Sequence, residues 1–184
     1  MTGTVRRVVT GQDANGKAVI VYDGDAPNVL RPPQRPGTVI NTIWAVEGLP
    51  VRLDGFRETV DRQIPIEPPL HGCSFRINEY SPEAGWIGNI DRAAAQANFA
   101  AMGATHAADS SDKPRHPLMH RTQPLDFAIV VSGEIYLVLD DSETLLRVGD
   151  TVIQCGTNHA WSNCSDKPCR MAFVMLGAEL PAGR

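Results

Sequence analysis

The sequence predicts an all-β domain, a small barrel or sandwich. From residue 120 onward, short apolar runs recur at close spacing, separated by turn residues. Phe75-Arg76-Ile77-Asn78-Glu79-Tyr80 alternates apolar and polar, the period-two pattern of a half-buried strand. One stretch, Arg92 to Met102, carries the alanine-rich signature of a helix.

Taken in order, Val5–Thr10 and Ala18–Tyr22 read as a hairpin turned at Asn15-Gly16, a pair that tolerates positive φ. Residues 23–37 hold prolines at 27, 32, 33 and 36 and are expected to form an irregular connection or extended arm, because proline cannot donate to a ladder. Thr38–Val46 reads as a strand, and residues 60–72 are again broken by Pro65, Pro68 and Pro69. The helix is capped by Asn89 or Asp91 and ended by Gly103. A polar loop, 104–115, follows; with the helix it forms either a lid over the region beyond or a structural connection. Phe127–Val131, Ile135–Leu139, Thr144–Val148 and Thr151–Ile153 are short strands, with a tight hairpin at Ser132-Gly133 and turns at Asp140-Asp141-Ser142 and Gly149-Asp150. Arg170–Leu176, strongly apolar, belongs in the middle of the sheet. The expected organisation is one domain: a hairpin and arm over 1–70, a barrel over 71–178 and a tail over 179–184.

The chain has 184 residues, 42% hydrophobic and 21% charged, with a net charge of −4. That balance argues against a nucleic-acid surface, which needs a basic field. The arginines at 6, 7, 31 and 35 read as part of a solvated face. No apolar run is long enough to span a bilayer. The first residues lack an apolar signal region, so a cytoplasmic location is expected, with Cys73, Cys155, Cys164 and Cys169 as mostly buried thiols.

Chemistry concentrates between His120 and Asn163. Alternation along a strand would turn His120, Thr122 and Asp126 into one interior, and His159 follows a glycine turn toward the same place. Two imidazoles and a carboxylate converging from rigid strands suit a divalent Zn, Fe, Mn, Ni or Cu ion. His116, four residues before His120, either adds a ligand or lies on the surface; His71 and His106 read as surface residues. Trp161 and Asn163 share the alternation of His159, and Arg76 with Asn78 occupies the polar phase of its strand, where the pair would meet a carboxylate or carbonyl group if that face is interior.

These residues resemble the motifs of the cupin superfamily. His120-X-Thr122-(X)3-Asp126-(X)6-Gly133 follows the first motif, with Thr122 in place of its second histidine and Asp126 in place of its glutamate. Gly149, then Gly156-(X)2-His159-(X)3-Asn163, follows the second, one residue short and without its proline. The resemblance covers about residues 72–178 in fold and 120–163 in motif. It implies a double-stranded β-helix, or jelly-roll, barrel carrying an N-terminal β extension and one short inserted helix. It also implies a small-molecule ligand, a homodimer, and a metal (Fe, Mn, Zn or Ni) on His120, Asp126 and His159. Three functions are expected to compete: a metal-dependent oxygenase, decarboxylase or isomerase; a metal-free acid–base enzyme using the same residues; and a non-catalytic small-molecule binding module, with neither membrane nor nucleic acid as partner.

Overall fold

A computed structural model describes residues 3–179. The strands are β1 (Arg6–Gln12), β2 (Ala18–Asp25), β3 (Asn28–Leu30), β4 (Val39–Val46), β5 (Cys73–Tyr80), β6 (Leu125–Ser132), β7 (Glu134–Val138), β8 (Glu143–Arg147), β9 (Thr151–Cys155), β10 (Ala160–Ser162) and β11 (Cys169–Leu176), with one α-helix, α1 (Arg92–Ala101). A six-stranded sheet runs β3-β4-β5-β11-β6-β9 and a three-stranded sheet runs β10-β7-β8, with every pairing antiparallel.

Strict alternation builds the space between the sheets. On β11, Cys169, Met171, Phe173 and Met175 are buried while their neighbours are only half-buried. On β6, Asp126, Ala128 and Val130 point inward and Phe127, Ile129 and Val131 outward. Ile135 and Leu137 of β7, Leu146 of β8 and Trp161 of β10 meet them from the other sheet. Burying each large side chain contributes about 1.5–3 kcal/mol, so this interdigitation is what closes the barrel.

The chain changes sheets at glycines. β6 belongs to the large sheet and β7 to the small one, so Ser132-Gly133 is a corner between sheets and not the expected hairpin. Gly133 takes φ 76°, and a Cβ there would sit 2.7 Å from the Pro168 carbonyl oxygen, so only glycine fits. Gly149 (φ 92°) makes the corner from β8 to β9, and Gly156 (φ 61°) the one from β9 to β10. A true hairpin joins β7 to β8 through Asp140-Asp141-Ser142.

The N-terminal region is more ordered than its prolines suggested. β1 and β2 form a separate two-stranded hairpin turned at Gly16 (φ 77°). Residues 28–30, expected to be irregular, form β3 on the edge of the large sheet, where a short strand needs few donors. β4 pairs with β5, so the arm and the barrel share one sheet.

The solvated-face reading of the arginines fails at two of the four. Arg7 is 4% exposed; it holds Glu58 at 2.5 Å and the Ile43 carbonyl at 3.1 Å, beneath the faces of Tyr22 and Trp44. Arg35 is buried as well. The thiols are also redistributed: Cys169 is buried and Cys73 half-buried, but Cys155 and Cys164 are exposed, on the outward phase of β9 and on the loop after β10.

The Asp91 carboxylate caps α1 by accepting from the Ala94 N–H at 2.8 Å, and Gly103 ends the helix with φ 75°. Ala95, Phe99 and Met102 pack against Ile40, Trp86 and Leu118. The helix is thereby a wall of the barrel mouth.

Candidate functional site

An interior cavity of about 50 Å³ lies between the two sheets and α1. His120, Thr122, Asp126 and His159 all line it. They arrive differently than alternation alone implied. Asp126 sits on β6, in register with Met175 of β11 and Gln154 of β9. His120 lies outside any regular strand and is held by an isolated bridge to His159, with reciprocal N–H to carbonyl bonds of 2.8 Å. That bridge brings the two rings to 4.2 Å between centroids. Phe99 of α1 stacks on His120 at 4.5 Å, and Trp161 meets His159 edge-on at 5.7 Å.

The backbone sets both tautomers. His120 Nδ1 donates to the Leu118 carbonyl at 3.1 Å, and His159 Nδ1 donates to the Thr157 carbonyl at 2.9 Å. Each ring therefore keeps its Nε2 lone pair as the open nitrogen. Burial holds His120 well below its ordinary range, helped by the adjacent His159, and burial brings His159 down to about 4. Both are neutral at pH 7. Asp126 moves the other way: burial raises it to about 7, against the pull of Arg76. Its Oδ1 is buried without a hydrogen-bond partner among the described residues.

Arg76 and Trp161 line the cavity too, whereas Asn163 and His116 do not. The Asn163 amide donates to the carbonyls of Tyr80 and Lys167 at 2.9 Å each, bracing the loop that follows β10. His116 is buried beside Glu83 and is neither a surface residue nor a cavity one.

Comparison with known proteins meets this geometry. Residues 107–175 match the cupin domain family model. The chain is 36% identical over 179 residues to the cupin-domain-containing oxidoreductase srdD of Neurospora crassa, covering 92% of this chain and 74% of that protein. The chain belongs to the cupin superfamily. A second relative, the cupin-domain-containing oxidoreductase virC of Hypocrea virens, is 29% identical over 184 residues, covering 94% of this chain and 75% of that one. Phomopsin biosynthesis cluster protein C' of Diaporthe leptostromiformis is 50% identical over 64 residues, and there the match spans only 34% of either chain.

Cupin barrels commonly hold a metal, and the donor set here fits one only in part. Tethering Nδ1 to a carbonyl is how a protein orients a metal-binding imidazole. The third donor is the difficulty. Thr122 supplies a hydroxyl where the family motif has a histidine, and no group of three or more His, Cys, Asp or Glu side chains among the described residues is close enough to hold a metal ion. As arranged, the residues do not make a three-ligand centre.

Among the residues of this cupin site that were not legible as such in the sequence are Arg35 and Phe99. Arg35 lines the cavity from the proline-rich arm, where consecutive turns (Arg35 N–H to Pro32 O and Thr38 N–H to Arg35 O, 3.0 Å each) project it inward over the Tyr80 ring at 5.2 Å. Phe99 belongs to the inserted helix. Neither carries a motif; the only signal for Arg35 was its place in a Pro-bracketed turn just before a strand.

Proposed function

We propose that this cupin is a small-molecule enzyme working by proton transfer in the interior cavity, with Asp126 as the acid–base group and His120 and His159 as fixed acceptors. The observation that carries this is the Asp126 Oδ1 atom: a buried carboxylate oxygen in a cavity wall, with no partner among the described residues. A buried acceptor left unsatisfied is costly unless a ligand completes it. Its raised range, about 7, suits a group that both takes and returns a proton at neutral pH. Asp126 would remove a proton from a carbon or hydroxyl of the bound molecule and return it to a neighbouring atom, an isomerisation with no net redox change. The Nε2 lone pairs would hold a substrate hydroxyl in place. The relatives named oxidoreductases support an enzyme over a plain binding module.

The test needs no known substrate. A panel of small hydroxy- and keto-compounds is incubated with protein in D2O, and carbon-bound deuterium is read by mass spectrometry. Incorporation that vanishes in Asp126→Asn and survives chelator supports the reading; incorporation unchanged by Asp126→Asn overturns it.

A second reading is favoured by the carbonyl-tethered imidazoles. In it a divalent ion is held by His120, His159 and a repositioned Asp126, and the chemistry is redox. About one divalent ion per chain by elemental analysis, lost in His120→Ala and His159→Ala, would select it. Thr122→His, which restores the family's imidazole, should then tighten metal binding.

A further inference from the structure

The cavity wall contains more positive charge than the proton-transfer site uses. Arg35 is 8% exposed and Arg76 3% exposed, and both line the cavity. Neither has a carboxylate within ion-pair distance among the described residues, although the exposed arginines 6 and 62 both do. Arg76 donates through one terminal nitrogen to the carbonyls of Ile64 and Pro65, which fixes its direction without neutralising it. The Nε atoms of both arginines, and the Oδ1 of Asn78 on the same cavity wall, are buried without hydrogen-bond partners among the described residues. Against two guanidinium groups the lining offers one carboxylate, Asp126, so the arginines outnumber the acids on the cavity wall.

A buried cation without a counter-ion is expensive, and proteins normally pair it. A guanidinium also presents its donors in a planar fork suited to a carboxylate. We propose that the ligand of this cavity is a small carboxylate, whose anionic end is received by Arg35 and Arg76 and whose remaining atoms face Asp126, His120 and His159. This rests on the proton-transfer reading only for the role of the second end; the anion site stands on the arginines alone. The volume limits the size. A cavity of about 50 Å³ has room for roughly three to five water-sized groups, which fits a carboxylate bearing a few further heavy atoms. Arg76 and Ile40 also line a neighbouring hollow of about 270 Å³ that includes Asn28 and Gln63, so a longer tail has somewhere to continue past Arg76.

Propionate and its uncharged near-isostere propionamide are the probes, titrated into the intact protein by calorimetry, with tryptophan fluorescence as a second readout. Propionate is expected to bind saturably and at least tenfold tighter than propionamide. Arg35→Met and Arg76→Met should each lower propionate affinity at least tenfold, and Trp161→Phe should remove the fluorescence change. The wild-type comparison stands even where an arginine variant does not fold. Equal affinity for acid and amide, or no binding of either, overturns the proposal, as does unaltered propionate binding in both folded arginine variants. Propionate binding without deuterium incorporation from any compound would sink the proton-transfer reading and leave the anion site standing. Incorporation without preference for the acid would do the reverse.

Discussion

Two buried histidine–carboxylate neighbourhoods lie a short way apart in this barrel, and they are built to opposite ends. Around Glu83 every group is answered. His116 Nδ1 accepts from the Leu118 N–H at 3.1 Å, which puts the ring proton on Nε2, 3.2 Å from Glu83. Ser162 donates to the other Glu83 oxygen at 2.5 Å, with the Cys164 thiol 3.5 Å away. Burial alone would raise Glu83, but the bonds from His116 and Ser162 outweigh it and hold the carboxyl below its ordinary range. Around Asp126 the same residue types are left open among the described residues: a carboxylate oxygen without a hydrogen-bond partner, two imidazoles tied only through Nδ1 to carbonyls, and two arginines with no carboxylate within ion-pair distance. The first arrangement clamps the segment before α1 to β10. The second keeps its unsatisfied groups for a ligand. Residue type does not separate a structural cluster from a functional one; hydrogen-bond satisfaction does.

Breaking the closed cluster should cost the most stability. Glu83→Ala strands His116 and Ser162 in the interior, and a loss of about 3–5 kcal/mol is expected, read from the urea midpoint, with propionate binding retained in the folded fraction. Asp126→Asn should do the opposite. The folded carboxyl titrates near 7 against an ordinary 3.8, so its contribution to stability is fully present below 3.8 and lost as pH rises through 7. The variant should therefore gain up to about 4 kcal/mol over wild type at pH 8 and nothing at pH 3.5, measured by thermal melts at both. His159→Asn tests the reverse sign. A histidine lowered from 6.5 to about 4 stabilises above 6.5 and loses that contribution as pH falls through 4. Its removal should flatten the acid limb by at most about 3 kcal/mol. The smallest effect is in labelling: Cys155 and Cys164 should alkylate in the native protein, and Cys169, pushed up to about 12 by burial, only after unfolding.

The sequence carried much of the fold because burial leaves a period. β5 followed from alternation, β11 from its apolar run, α1 from its alanines and a cap at Asn89 or Asp91, and the turn at Gly16 from Asn15-Gly16. The corner at Gly133 did not follow, because a left-handed glycine serves a hairpin and a sheet change equally well; which one forms depends on where the next strand finds its partners. The site was legible in its residues and not in its balance. His120, Thr122, Asp126 and His159 share the cavity that spacing assigned them. Whether Asp126 completes a donor set with the histidines is a matter of distances, which a motif does not encode. Arg35 was invisible for a different reason: a proline-rich turn, with no periodicity, aims it inward.

Arg35 and Arg76 also invert the electrostatics between the outside of this protein and its interior. The chain carries a net charge of −4, so at low ionic strength an approaching carboxylate is repelled until it is inside. Added salt screens the outer field over a Debye length of about 8–10 Å but barely reaches a pair formed behind two sheets and a helix. The encounter rate for a small anion should therefore rise with salt while its dissociation rate stays nearly constant, the reverse of the usual electrostatically steered ligand.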